Sequence, residues 1–255
     1  MTLAHAILLF GAAVIAGVMN SVAGGGSFIA FPSLIFTGVP PIPANATNTV
    51  ALWPGSVASV GAYRRRLPRS ARIMVPLVAI SVVGGILGAV ILLHTPQATF
   101  MHLVAYLFGV ATLLFAFGKR LTQGLSRSVK RQGPLGWPII AGLTAVQLVI
   151  AVYGGFFGGG IGILMLAMLE MTHMEDIHAM NGLKTLLAAS INGAAVVTFI
   201  LARQVWWSQA LLMVVGAVAG GYGGAHYAQK LDPRWARAAI IGIGTGMTFY
   251  FLWRY

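Results

Sequence analysis

Cysteine is absent from the chain, which excludes disulfides, thiol chemistry and any cysteine-based metal site. Acids are almost absent too: Glu170, Glu175, Asp176 and Asp232 are the four. Charged residues make up 8% of the 255, against about 25% in a soluble domain. No stretch is polar enough to form such a domain. There is no Walker A pattern, no His-Glu-x-x-His, no Gly-x-Ser-x-Gly and no pair of Asp residues inside an apolar run, so ATP hydrolysis and the common intramembrane hydrolases have no residues to work with. No cofactor and no metal site is expected. What remains is 58% hydrophobic residues and a mean hydropathy of +0.86, a surface that only lipid can cover. The fold class is an all-α polytopic membrane protein.

The net charge is +12, from sixteen Lys and Arg against the four acids. The basic residues fall in short runs between apolar segments and lack interleaved aromatics, so they read as cytoplasmic loops rather than a nucleic-acid surface. The first 22 residues carry only His5 as a potentially basic group, which predicts a retained first helix rather than a signal peptide.

The chain is organised around Asn20–Gly26, where three glycines follow a long apolar run. Glycine triplets break a helix, and broken backbone at membrane depth is tolerated only inside the protein. A shift of 134 residues lays Gly24, Gly25 and Gly26 on Gly158, Gly159 and Gly160, Thr47 on Asn181 and Asn48 on Gly182. Short apolar segments follow both triplets, Phe28–Phe36 and Ile161–Leu169. At 1.5 Å per residue each reaches about 15 Å, half a hydrocarbon core. Two broken helices in matching places are the sequence pointer to a transporter's binding site.

Spans are expected at Leu3–Asn20, Ala44–Tyr63, Ile73–Leu93, Ala98–Gly118, Trp137–Phe157, Ile177–Leu201, Trp206–Tyr227 and Ala236–Trp253, eight long helices beside the two short ones. Thr37–Pro43 reads as a proline-rich turn, and the six tryptophans, which lie mostly near predicted helix ends, as an interfacial belt. Residues 1–118 make a first repeat, 119–136 a basic cytoplasmic linker and 137–255 a second repeat. Arg64–Arg72, Lys119–Arg131 and Lys230–Arg237 are placed inside. Five segments per half is an odd number, so the second half enters from the opposite side as an inverted repeat.

Helix N-termini carry unsatisfied N–H groups and about half a positive charge. Two of them, at Gly24–Ser27 and Gly158–Ile161, would cage a small anion. Close helix packing is the other use of such glycines, and it is the reading for Gly84-Gly85 and Gly220–Gly224. Lys184 sits inside a span at a cost of about 2.5–3.5 kcal/mol, with no acid in helical reach. It either neutralises the anion or snorkels to an interface. Asn45, Thr47, Asn48 and Thr49, with Asn181 and Thr185 in the repeat, are neutral donors for an oxyanion or else helix caps and interhelical bonds. Asn20 and Ser21 are weaker candidates of the same kind. The histidines read as interfacial polar groups.

Asn-Ser-Val-Ala-Gly-Gly-Gly-Ser at 20–27, Pro32, Ala-Asn-Ala-Thr-Asn-Thr at 44–49, Gly-Gly-Phe-Phe-Gly-Gly-Gly-Ile-Gly at 154–162 and Asn181-Gly182-Leu183-Lys184-Thr185 resemble the signature of the sulfite exporter TauE/SafE family. The resemblance covers nearly the whole chain. It implies a secondary transporter of sulfite or organosulfonates in a bacterial inner membrane. Phe156, Phe157 and Ile161 are bulkier than the family's residues at the second turn, which reshapes the pocket.

The expected partners are a small anionic substrate and the lipid bilayer; the sequence admits a homodimer without requiring one. A transporter or channel for a neutral or cationic solute is the alternative, and an intramembrane enzyme a more distant one.

Overall fold

The computed structural model describes residues 1–22, 25–64, 67, 71–128, 136–172, 174, 176–227 and 233–254. Gly24, the basic residues Arg65, Arg66, Arg69, Lys130, Arg131 and Lys230, and His173, Glu175 and Asp232 lie outside the described residues, as do the side chains of Ser21, Lys119, Arg120, Arg127, His178, Arg234 and Trp235.

The described residues form ten helices and no strand: α1 (Leu3–Val22), α2 (Ser27–Phe36), α3 (Pro41–Tyr63), α4 (Ala71–His94), α5 (Gln97–Ser128), α6 (Trp137–Phe156), α7 (Ile161–Glu170), α8 (Ile177–Leu201), α9 (Trp207–Tyr227) and α10 (Pro233–Arg254). The 134-residue register is kept at the start of each half. α1 and α6 both have 20 residues, and α2 and α7 both have 10.

The start of α3, the end of α5 and the number of spans differ from expectation. α3 begins at Pro41, inside the stretch read as turn, because proline at the first helical position gives up an N–H that has no partner there anyway. α5 continues to Ser128, ten residues past Gly118. Among the described residues five helices, α1, α4, α5, α6 and α8, are long and apolar enough to cross a membrane, against eight expected; α3 is 23 residues long but its first turns are polar. Trp53 is also not a belt residue. It lies midway along α3, and its indole Nε1 donates to the Ala189 carbonyl of α8 (3.0 Å).

The halves interlock. α1 packs along α9 and α6 along α4, while α3 packs on α8 and α5 on α10. Shifting by one repeat exchanges the first two pairs and maps each of the others onto itself. Glycine makes the first two seams close. A β-carbon at Gly17 would strike the Ala217 carbonyl, and one at Gly220 that of Val14. In the matching seam, Gly84 faces the Ala151 methyl, Gly88 the Val152 carbonyl and Gly155 the Gly85 carbonyl. Thus Gly84, Gly85 and Gly220 serve close packing, as their sequence context suggests.

Residue pairings give the helix directions. Trp53 lies on Gly193 and Tyr63 on Gly182, so α3 and α8 run antiparallel. Gly109 meets Thr248, Thr112 meets Gly244, and Arg237 Nε donates to the Phe115 carbonyl (2.6 Å), so α5 and α10 are antiparallel too. Between these pairs sits a cluster of phenylalanines, Phe28, Phe31, Phe108, Phe157 and Phe251, with contacting ring centroids 5.2–6.5 Å apart.

Candidate functional site

At the first break, Gly25 takes a left-handed φ of +92°, and the chain turns back against α1. Gly26 caps α2, and its N–H donates to the Asn20 side-chain oxygen (2.7 Å). A β-carbon at Gly26 would stand 2.5 Å from the Ala16 carbonyl oxygen, so only glycine fits. One of the donors expected to face an anion is therefore spent on α1.

At the second break the left-handed residues are Gly158 (φ +83°) and Gly160 (φ +77°), the latter capping α7. The tie has the opposite polarity here: the Tyr153 hydroxyl donates to the Gly159 carbonyl (2.7 Å). Tyr153 was not singled out from the sequence; its only signal is a hydroxyl one residue before Gly154-Gly155.

The polar start of α3 brings the two breaks together. Asn48 Nδ2 donates to Ser27 Oγ at the head of α2 (3.1 Å), and Asn45 Nδ2 donates to the Phe156 carbonyl at the end of α6 (3.1 Å). Three positions apart on a helix, the two asparagines share a face, with β-carbons about 5–6 Å apart. Thr47 Oγ1 accepts the Trp206 N–H just ahead of α9 (3.0 Å). Thr49 and Thr185 turn their hydroxyls back to their own helices, onto the Asn45 and Asn181 carbonyls. Asn45, Thr47 and Asn48 are buried, and the side-chain oxygens of Asn45 and Asn48 have no hydrogen-bond partner.

Lys184 is half-buried on α8. Its stem passes Gly162 in the first turn of α7, where a β-carbon would meet Cδ at 3.6 Å. Its ammonium donates to Asn181 Oδ1 (3.2 Å), and no carboxylate pairs with it among the described residues. Both breaks also rest on α5, Gly25 beside Phe115 and Gly160 beside Ala111 and Leu114. Phe157 of the phenylalanine cluster lies against Gly159, and Ile240 against Gly25. Two clefts of about 430 and 390 Å³ lie elsewhere, between the end of α2 and the start of α5 and along the α4–α6 surface, and neither is lined by a residue of either break.

Comparison with known proteins agrees with this architecture. Residues 9–251 match the model of the family described as "Sulfite exporter TauE/SafE". Among relatives, the chain is 32% identical over 245 residues to the "Probable membrane transporter protein ORF9" of Sinorhizobium sp, covering 96% of this chain and 91% of that one. It is 29% identical to a "Probable membrane transporter protein" of Haemophilus influenzae (94% and 92% covered) and 27% identical to the "Probable membrane transporter protein YfcA" of Escherichia coli K12 (94% and 87%). No solved structure matches the chain. A multi-pass chain with two glycine-broken helices, matched to this family over nearly its whole length, belongs to the sulfite exporter TauE/SafE family of membrane transporters and is not an enzyme.

Proposed function

We propose that this protein is a secondary transporter that exports a small sulfur-containing anion, sulfite or an organosulfonate, across the bacterial inner membrane. Lys184 carries the reading. A lysine within a span is costly, and this one meets an amide oxygen instead of a carboxylate, leaving a positive charge for a mobile anion to balance. Its stem lies over the first turn of α7, where the helix dipole also favours negative charge. The anion sits between the Lys184 ammonium and the second break.

The antiparallel run of the equivalent pairs α3/α8 and α5/α10 supports an inverted repeat. A two-fold axis relating antiparallel helices lies across them, in the membrane plane. We count α3, α9 and α10 as spans beside the five most apolar helices. The packed phenylalanines make this an occluded arrangement, and relative motion of the halves opens the site to one side at a time.

The test is thermal unfolding of the detergent-purified chain with sulfite, sulfate, thiosulfate, sulfoacetate, taurine and chloride, repeated with Lys184→Gln. A ligand at a hundredfold excess over its dissociation constant stabilises by about 2.7 kcal/mol. One sulfur anion should raise the unfolding temperature of the wild type and leave the variant unmoved. No anion response, or an equal response in the variant, overturns the reading in favour of a neutral or cationic solute.

A further inference from the structure

The two orphaned amide oxygens on α3 suit a partner opposite in charge to the anion. The orientation of Asn45 is set by chemistry: the Phe156 carbonyl can only accept, so the amide nitrogen must face it, at 3.1 Å. Asn45 Oδ1 is thereby turned the other way, buried and unpartnered, and Asn48 Oδ1 on the same helix face is in the same condition. A buried acceptor without a donor costs about 1–3 kcal/mol, and two within one helical turn point to an occupant able to satisfy both. An oxyanion, itself an acceptor, would be repelled by them.

Their surroundings narrow the chemistry. α6 ends at Phe156, so the negative end of its dipole and its last carbonyls lie at Asn45. Ser27 Oγ, already bonded to Asn48, has a further lone pair. The donor set is all oxygen and all neutral, with no carboxylate, and groups of three or more His, Cys, Asp or Glu that could hold a metal are absent among the described residues. Neutral amide, hydroxyl and helix-end carbonyl oxygens at a broken helix suit a dehydrated monovalent cation rather than a divalent ion, which asks for carboxylates.

We propose that Asn45 Oδ1 and Asn48 Oδ1, with Ser27 Oγ and the carboxyl end of α6, form a binding site for a monovalent cation of sodium size, held at the junction of the two glycine breaks. The site goes beyond the anion reading and stands without it. If both hold, cation and anion bind either side of the second break, and each raises the affinity for the other by the same factor.

The experiment is equilibrium binding of radioactive sodium ion to the full-length wild type in lipid nanodiscs, at constant chloride, competed with sodium, potassium and choline. Constant chloride separates this test from the anion test, so either can fail alone. Saturable binding that sodium displaces and choline does not is the expected result. Asn48→Ala, which removes one oxygen, should weaken binding at least about tenfold. Asn48→Asp places a carboxylate in the same position, and the Ser27 hydroxyl can rotate to donate to it; this variant should bind sodium more tightly than wild type. Because the two variants move affinity in opposite directions, misfolding cannot imitate the result. Absence of saturable binding in the wild type, or a sodium affinity the same in all three proteins, overturns the proposal and assigns the two oxygens to buried water.

Discussion

The two glycine breaks start from the same sequence device and are held in different ways. At the first, a side chain of the preceding helix accepts from the backbone, Asn20 Oδ1 to the Gly26 N–H. At the second, the position of Asn20 is taken by Gly154, and a side chain donates to the backbone instead, Tyr153 hydroxyl to the Gly159 carbonyl. The first therefore has one N–H fewer to offer a ligand, while the second has no side chain accepting from its capping N–H among the described residues and has the Lys184 stem laid across the first turn of its helix. On the proposed reading, the first break is chiefly a structural hinge and the second the better place for an anion. Asn45 crosses from the first half to the end of α6 and ties the two together.

The sharpest way to test that division is to exchange the charge. Lys184→Met should abolish the response to the sulfur anion and raise the ligand-free unfolding temperature, since a poorly compensated cation leaves the span, with a gain of about 2 kcal/mol. A lower unfolding temperature would make Lys184 structural and erase the contrast. Comparable in effect on stability, without the loss of ligand response, are the glycines. Gly26→Ala should destabilise by about 2–3 kcal/mol through the clash with the Ala16 carbonyl, against about 1–2 kcal/mol for Gly160→Ala, whose cost is the left-handed backbone. Chemical unfolding in detergent measures both, and equal losses would break the comparison. Asn45→Ala should cost about 1–3 kcal/mol by leaving the Phe156 carbonyl buried without a donor. Smallest are the two ties, about 1 kcal/mol for Asn20→Ala and about 0.5–1 kcal/mol for Tyr153→Phe, read in the same assay. Anion affinity should fall in the Tyr153 variant and stay unchanged in the Asn20 variant if the second break is the site.

Much of this was legible in the residues. The glycine triplets, the short apolar segments and the 134-residue register located both breaks and gave α2, α6, α7 and α8 within a residue or two. Lys184 and the 45–49 cluster stood out because polar groups are costly in lipid, and the structure puts Asn45 and Asn48 between the breaks. Their partners were not legible. Asn45 read equally well as a donor to an oxyanion or as an interhelical bond, and no spacing in the sequence pointed to the Phe156 carbonyl, 111 positions away, as its partner. Tyr153 was missed because a tyrosine near a helix end reads equally well as an interfacial residue.

Sequence alone determined the membrane class, the helix breaks and the 134-residue register between them, because each rests on composition, on glycine's backbone freedom or on spacing. Only the tertiary structure decided that α1 seats on α9 and α6 on α4, which helices run antiparallel, and which polar atoms are left unpaired. The reason lies in the solvent. Lipid is as apolar as a protein core, so an outward Val149, 71% exposed, and an inward Ala151, fully buried, obey the same chemistry, and no periodicity distinguishes the face that meets a neighbouring helix from the face that meets the bilayer.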